Sequence, residues 1–300
     1  MNARSERGQA VVLTVVFLTV VLGVASLGID VGSWYQAKRH LQAAADAAAL
    51  AGAQALPDST ADAVALATQY AGENGMTLAP ADVTFSSQYT ADDTINVRLA
   101  TSAPGFFSKL FGIRSVAVGA TAAARADGMS EARYAAPVGV DVSHPDLSGS
   151  DCPCFGDATT LTLDEVGPGG FKLLNIDGSR GGTNPHTLGD WMQYGLDAWM
   201  PLGDYYSDPG AKFNSSGMQS ALDASIGKEL LFPVYDSVTG NGANLTYHVI
   251  GWVGFHLTGY DARGSSGSLY GWFTRVVWQG IQGESGNPND FGARAVQLVN

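Results

Sequence analysis

Cysteine is nearly absent from this chain: 300 residues hold two, Cys152 and Cys154. With no histidine pair near them, two sulfurs make a poor zinc site, and His144 is the only third ligand close in sequence. Basic residues are also few, 16 Lys and Arg against 28 Asp and Glu, for a formal net charge of −12. Such a balance repels nucleic acid and anionic lipid over most of the surface. No glycine loop built to cradle phosphate is present, and no nucleophile stands with a base. No cofactor is expected, and the chain does not read as an enzyme. Long apolar runs are missing too, with one exception.

That exception is Ala10 to Ile29, an uncharged and predominantly apolar run. About twenty such residues, at 1.5 Å each, span the hydrocarbon core of a bilayer. The run continues without proline into Leu41-Gln42-Ala43-Ala44-Ala45-Asp46-Ala47-Ala48-Ala49-Leu50-Ala51-Gly52-Ala53, and the helix signal lasts to Leu56, before Pro57-Asp58-Ser59. The result is a rod of about 70 Å, half suited to lipid and half to water. Arg4 and Arg7 precede the run, against Glu6, whereas Asp30 follows it and Lys38 and Arg39 come more than two turns later. This bias predicts a single-pass protein of the cell (inner) membrane, with a cytoplasmic N-terminus and the bulk of the chain extracytoplasmic. A cleaved signal peptide is the rival reading, but the run is longer than a usual signal core and lacks a clean A-x-A site.

Small residues recur every four positions along this rod: Gly28 and Gly32, then Ala44, Ala48 and Gly52. That spacing lets helix backbones approach closely, so these five are the candidate helix-packing interface with other subunits. The plain alternative is a stiff alanine spacer, since alanine is the best helix former. An alanine-rich helix is expected to bury too little apolar surface to dock strongly on its own domain. Asp30 is either a solvated carboxylate at the membrane edge or the partner of a cation on an adjoining subunit. In an exported chain Cys152 and Cys154 are expected to be oxidised, as a short disulfide pinning a loop; a C-x-C redox centre or half a metal site are the other readings.

Arg7-Gly8-Gln9, the apolar run, Gly28-Ile29-Asp30-Val31-Gly32, Lys38 and the Leu41–Ala53 helix follow in an order that closely resembles the N-terminal module of TadE/TadG-like proteins. That family belongs to the tight-adherence, Flp-type pilus system of bacteria. The resemblance covers about residues 7 to 53. It implies an outward-facing membrane protein that assists pilus assembly or acts as a minor pilin-like component. The implied partners are the membrane and other pilus-assembly or pilin-like subunits, met through the N-terminal helix, and no nucleic acid.

Three parts are expected: residues 1–57 as N-terminus, transmembrane helix (about 10–29) and stalk; 58–130 as a small pilin-like α/β domain; and 131–300 as an extracytoplasmic α+β domain. In the middle part, Thr60 to Asn74 reads as an amphipathic helix, Val83–Phe85 and Ile95–Leu99 as half-buried strands, Phe106–Phe111 as a short amphipathic segment, and Val116–Ala120 as a last strand. In the third part, strands are expected at Thr160–Leu163, Phe171–Ile176, Glu229–Asp236, Leu245–Tyr260 and Ser268–Gly280. Helices are expected at Thr187–Met200 and Ser216–Ile226. Short links between consecutive strands imply an antiparallel sheet, and a weakly ordered tail is expected from Gly283. The fold class is α+β.

Several constellations carry the residue types of a site without its full pattern. Asp141-Val142-Ser143-His144 resembles the D-x-S-x-S opening of von Willebrand A metal sites, but Pro145 stands at the fifth position. His186 and Asp190 are four apart on a helix, a spacing that more often decorates a helix start. Asp204 and Asp208 flank Tyr205-Tyr206 near Pro209-Gly210, at a density of oxygens common in ordinary turns. His248 and His256 share a strand face but stand more than about 25 Å apart. No catalytic, cofactor or metal residue is therefore assigned. Trp191, Trp199, Trp252, Trp272 and Trp278 read mostly as core, with the rest available to a contact patch. The alternatives to a pilus component are an anchored adhesive or glycan-binding module, or an anchored extracytoplasmic hydrolase.

Overall fold

A computed structural model of the chain describes residues 6–148, 153–163, 170–208, 212–241, 244–263, 266–283 and 289–299. It is α+β, with a long apolar helix at the N-terminus and a mixed-sheet domain toward the C-terminus. Two compact units are present, Met1–Arg125 with Leu298–Asn300, and Ala126–Gln297.

The first unit is organised by α1 (Glu6–Ala53), a single helix of 48 residues with no proline to break it. From Leu41 onward one face of it is buried against α2 (Thr60–Glu73) and the hairpin strand β2 (Thr94–Pro104). Leu41, Ala44, Ala45, Ala48, Ala49 and Ala53 have no solvent exposure. The reversal between the helices is short because Ser59 begins α2 at once, its hydroxyl accepting from the Asp62 amide at 3.1 Å. Opposite the α1 alanines, α2 buries Ala63, Ala67 and Ala71, one per turn. Alanine facing alanine brings the two backbones close, and Ile95, Val97 and Leu99 of β2 supply the bulk that alanine lacks. β2 pairs antiparallel with β1 (Val83–Ser86), Val97 opposite Val83, and with β3 (Ser115–Ala132), Val97 opposite Ala122.

In the second unit, a mixed sheet takes the order β11-β5-β6-β4-β9-β10-β8 and closes on itself through β10 and β11. Its strands are β4 (Val138–Asp141), β5 (Thr159–Leu163), β6 (Gly170–Asn175), β8 (Gly203–Ser207), β9 (Glu229–Thr239), β10 (Thr246–Arg263) and β11 (Ser266–Thr274). The consecutive strands β9, β10 and β11 are antiparallel, as their short links require. The sheet as a whole is not antiparallel, contrary to the sequence expectation. β4 runs parallel to β9, and β5 parallel to β6. For β4 and β9 the reason is topological. They are distant in sequence, and the chain between them carries α3 (Pro185–Tyr194) and α4 (Ser216–Ser225), the length a parallel return demands.

Both faces of this sheet are covered. Phe171, Phe232, Phe255 and Phe273 pack with Leu188 and Met192 of α3 and Met218 and Leu222 of α4 on one side. Leu174, Leu231, Tyr235, Tyr247, Val249 and Trp252 pack on the other with Met129 and Ala132 of β3. A strand buried on both faces reads as a continuous apolar run, which is the pattern of β10.

Two boundaries differ from the sequence reading. α3 stops at Tyr194, where Gly195 adopts φ +73° and packs against the Tyr134 backbone too closely to admit a side chain. Met200 consequently lies in a short strand, β7 (Met200–Pro201), beside β3. The C-terminal stretch contains β14 (Ala293–Val299), where a weakly ordered tail was expected. It pairs in parallel with β12 (Val276–Val277), and Gln282, at the end of β13 (Gly280–Gln282), donates to the Ala295 carbonyl at 2.8 Å.

Candidate functional site

The candidate site is the apolar half of α1 and the place where that helix meets the rest of its unit. From Val11 to Ile29 all the large apolar side chains are exposed, Val21 least at 45%. The helix is long and apolar enough to cross a membrane. Its few polar side chains are satisfied within the helix: the hydroxyls of Thr14, Thr19 and Ser26 donate to the carbonyls of Ala10, Val15 and Leu22 at 2.6 to 2.8 Å. A helix whose backbone and side-chain polar groups all bond internally is the form that hydrocarbon tolerates.

Asp30 ends this apolar half, and it is 1% exposed. Neither sequence reading described its surroundings. The carboxylate is not solvated, and no cation of another chain is needed to hold it. Oδ1 accepts from the Phe106 amide at 2.8 Å, and Oδ2 from the amides of Phe107 at 3.0 Å and Ser108 at 2.5 Å. Three amides converging on one carboxylate compensate its charge much as a helix N-terminus does. One turn on, the Trp34 indole donates to the Pro104 carbonyl at 3.1 Å, and the Lys38 ammonium donates to the Gly119 carbonyl. The β2–β3 connection is thereby fixed to α1 at the point where the helix leaves its apolar half.

That connection forms a compact tip. Gly105 donates to the Arg114 carbonyl at 2.9 Å, closing the hairpin, and Ser108–Phe111 make one 3-10 turn. Gly112, at φ +84°, ends the turn by donating back to Lys109 and Ser108. With the backbone bonded inward, the apolar side chains point outward: Leu110 is 83% and Phe111 74% exposed, and Phe106, Phe107 and Ile113 are exposed as well. In the sequence this was only a short amphipathic segment. The signal that marks it is charge: no acidic residue lies between Asp93 and Asp127.

The five small residues of the predicted packing ladder part company in the structure. Ala44 and Ala48 are fully buried within the unit, and Gly52 is in van der Waals reach of α2. A side chain on Gly52 would meet Ile95 Cδ1 at 2.5 Å and the Ala63 carbonyl oxygen at 2.8 Å. Around Gly28 and Gly32 nothing lies within 4 Å of where a side chain would start. An alanine-rich helix does therefore dock on its own domain, because α2 presents alanines in return.

The remaining candidates occupy ordinary structural roles. Asp141 accepts from the Ser143 amide and hydroxyl at 2.8 and 2.7 Å. His144 is buried edge-on against Phe273, and burial holds its pKa below the usual imidazole value despite the nearby Asp146 and Asp141. His186 begins α3, and Asp190 is exposed on it. Asp204 pairs with His248 at 2.8 Å, whereas Asp208 is buried and accepts from the Thr183 amide at 2.8 Å and from Lys212. His256 Nδ1 is 2.9 Å from Glu229 and its ring stacks on Trp272 at 4.4 Å. Among the described residues no group of three or more His, Cys, Asp and Glu is placed to hold a metal. Pro209, Gly210 and Cys152 lie outside the described residues. Cys154 is half buried, its amide donating to the Asp146 carbonyl at 2.8 Å. Of the tryptophans in the second unit, Trp252 is core and Trp199 is exposed.

No curated protein and no solved structure matches the chain. An apolar N-terminal helix of this length fits a membrane-anchored, pilus-related protein, and residues 8–55, nearly all of α1, match the family described as "Putative Flp pilus-assembly TadE/G-like".

Proposed function

We propose that this chain is a single-pass, membrane-anchored component of a Tad/Flp-type pilus or secretion apparatus. Its N-terminus is cytoplasmic, and everything beyond Asp30 is extracytoplasmic. It acts in pilus assembly or as a minor pilin-like subunit, and it turns over no substrate. The observation that carries this reading is the coincidence of the family match, residues 8–55, with one continuous helix that is bare in its first half and packed in its second. A long N-terminal helix whose second half lies on a small antiparallel sheet resembles the layout of pilin-like proteins, so we take residues 58–130 with that helix as the pilin-like part and 131–300 as a separate outer domain. Gly28 and Gly32, open on their helix face, are the positions left for close approach by another subunit's helix. In the compartment this implies, Cys152 and Cys154 form a disulfide.

Two measurements test the reading together. Cells lacking the chain should lose surface pili and regain them when the full chain is restored. Protease added to cells with permeabilised outer layers should digest both units and leave a short protected N-terminal fragment. Normal piliation without the chain, or a soluble mature chain beginning near Gly28, would overturn it.

A further inference from the structure

We infer that the Gly105–Arg114 tip is a second membrane contact, seated in the headgroup region of the same bilayer that α1 crosses. The inference rests on the membrane reading of α1 and extends it to a surface that the apolar helix does not include. Three observations support it.

The first is position. Asp30 directly follows the Ala10–Ile29 run, and its carboxylate lies 2.5 to 3.0 Å from the amides of Phe106, Phe107 and Ser108. Because these groups belong to one compact unit, the tip sits at the level where the helix leaves hydrocarbon. Tyr35, 65% exposed, and Trp34 lie one turn further out, the depth at which aromatic residues gather in membrane proteins.

The second is surface chemistry. Phe106, Phe107, Leu110, Phe111 and Ile113 are all exposed within eight residues, on a segment whose backbone is bonded to Asp30 at the end of the bare apolar half of α1. Large contiguous apolar patches on otherwise soluble units mark contacts with membranes or partners. Lys109 lies within this stretch and Arg114 directly after it, in a chain whose net charge is −12 and which has no acidic residue between Asp93 and Asp127. Long basic side chains beside buried aromatic ones suit the headgroup layer, where stem and charge lie in different media.

The third is that seven of the tip's backbone amides are bonded within the protein, which lowers the cost of bringing the segment to the apolar side of an interface. The amides of Gly105, Leu110, Gly112 and Ile113 donate within the tip, those of Phe106, Phe107 and Ser108 donate to Asp30, and the Ser108 hydroxyl donates to the Ile113 carbonyl.

Nitroxide labels report depth directly. The full chain would be labelled at Leu110→Cys, at Leu22→Cys in the apolar run and at Ala65→Cys on the exposed face of α2. Each variant would be reconstituted in phosphatidylethanolamine vesicles containing phosphatidylglycerol. Native chain carried through the labelling sets the background from Cys152 and Cys154. Collisions with oxygen, which concentrates in lipid, are compared with those of a water-soluble nickel chelate. The oxygen-to-nickel ratio at Leu110 should lie several-fold above that at Ala65, and below or near that at Leu22. A water-like ratio at Leu110 with a lipid-like one at Leu22 would overturn this inference and leave the anchor intact. A Leu110 label shielded from both reagents would also overturn it, placing the tip on another protein. A water-like ratio at Leu22 would remove the membrane reading itself.

Discussion

Gly52 offers the sharpest test of how the first unit is held together. In most helices, replacing an interior glycine by alanine is favourable, by about 0.8–1.0 kcal/mol, because alanine restricts the unfolded chain and covers the backbone. At Gly52 the new methyl carbon would stand 2.5 Å from Ile95 Cδ1, 2.8 Å from the Ala63 carbonyl oxygen and 3.2 Å from Ala67 Cβ. The isoleucine tip can swing aside, but the carbonyl is backbone of the facing helix and moves only if α2 moves. Forcing a methyl into a packed site costs about 1–3 kcal/mol, so the net effect should be destabilising by about 1 kcal/mol. Gly72, in the last turn of α2, is the control: nothing lies within 4 Å of its would-be side chain, so Gly72→Ala should be neutral or stabilising by up to about 1 kcal/mol. Hydrogen exchange of the buried α2 and β2 amides, measured on the full chain in detergent, reads both locally. Gly52→Ala should speed exchange about tenfold or less, and Gly72→Ala should slow it or leave it unchanged. If both substitutions shift exchange in the stabilising direction, α1 and α2 do not approach as described, and the alanine interface is wrong.

Other expectations follow from the same contacts. Asp30→Asn turns an amide donor toward the three amides now held by the carboxylate; with acceptors lost in a buried place, the tip should loosen by about 1–3 kcal/mol, seen as faster exchange at Phe106–Ser108 while the α2 amides stay protected. Asp93 is pulled up by burial, but the Thr90 and Tyr89 amides, the Thr94 hydroxyl and the Gln88 amide together outweigh that and hold its pKa below the usual 3.8. The folded state then binds the proton more weakly than the unfolded one. Its stabilisation is full above pH 3.8 and is lost as pH falls through the folded value, a loss that Asp93→Asn should abolish from an acid titration of local exchange. Burial first, then the Glu131 charge, raise Tyr205 to about 12, so its contribution to the second unit should fade as pH rises from 10 toward 12, and Tyr205→Phe should flatten that limb of the alkaline unfolding curve. If Cys152 and Cys154 are paired as proposed, freshly isolated chain should take up no alkylating reagent until reductant is added.

The apolar run and the alanine helix were legible because one strong period and an unbroken composition carry them, and α2 was legible because Ser59 and Gly75 bracket it. The parallel strand pairs were not, since periodicity within β4 says nothing about β9, which lies far along the chain. Gly195 was equally silent: the close approach of Tyr134 where α3 ends is a tertiary fact. The small-residue ladder is the instructive case. Spacing by four at Ala44, Ala48 and Gly52 states that some backbone comes close, and it is neutral about whose. Sequence pointed to another subunit, on the argument that alanine buries little area. That argument fails when the facing surface also carries small residues at the same spacing, as Ala63, Ala67 and Ala71 do, because close approach recovers in contact what alanine lacks in area. It follows that a bulky residue at Ala48, which has no solvent exposure, acts first on the fold of the first unit. A lost pilus in such a variant would report α1 against α2, whereas the same loss from Gly28→Ala or Gly32→Ala, where the added Cβ has nothing of this chain within 4 Å, would report the contact with another subunit proposed above.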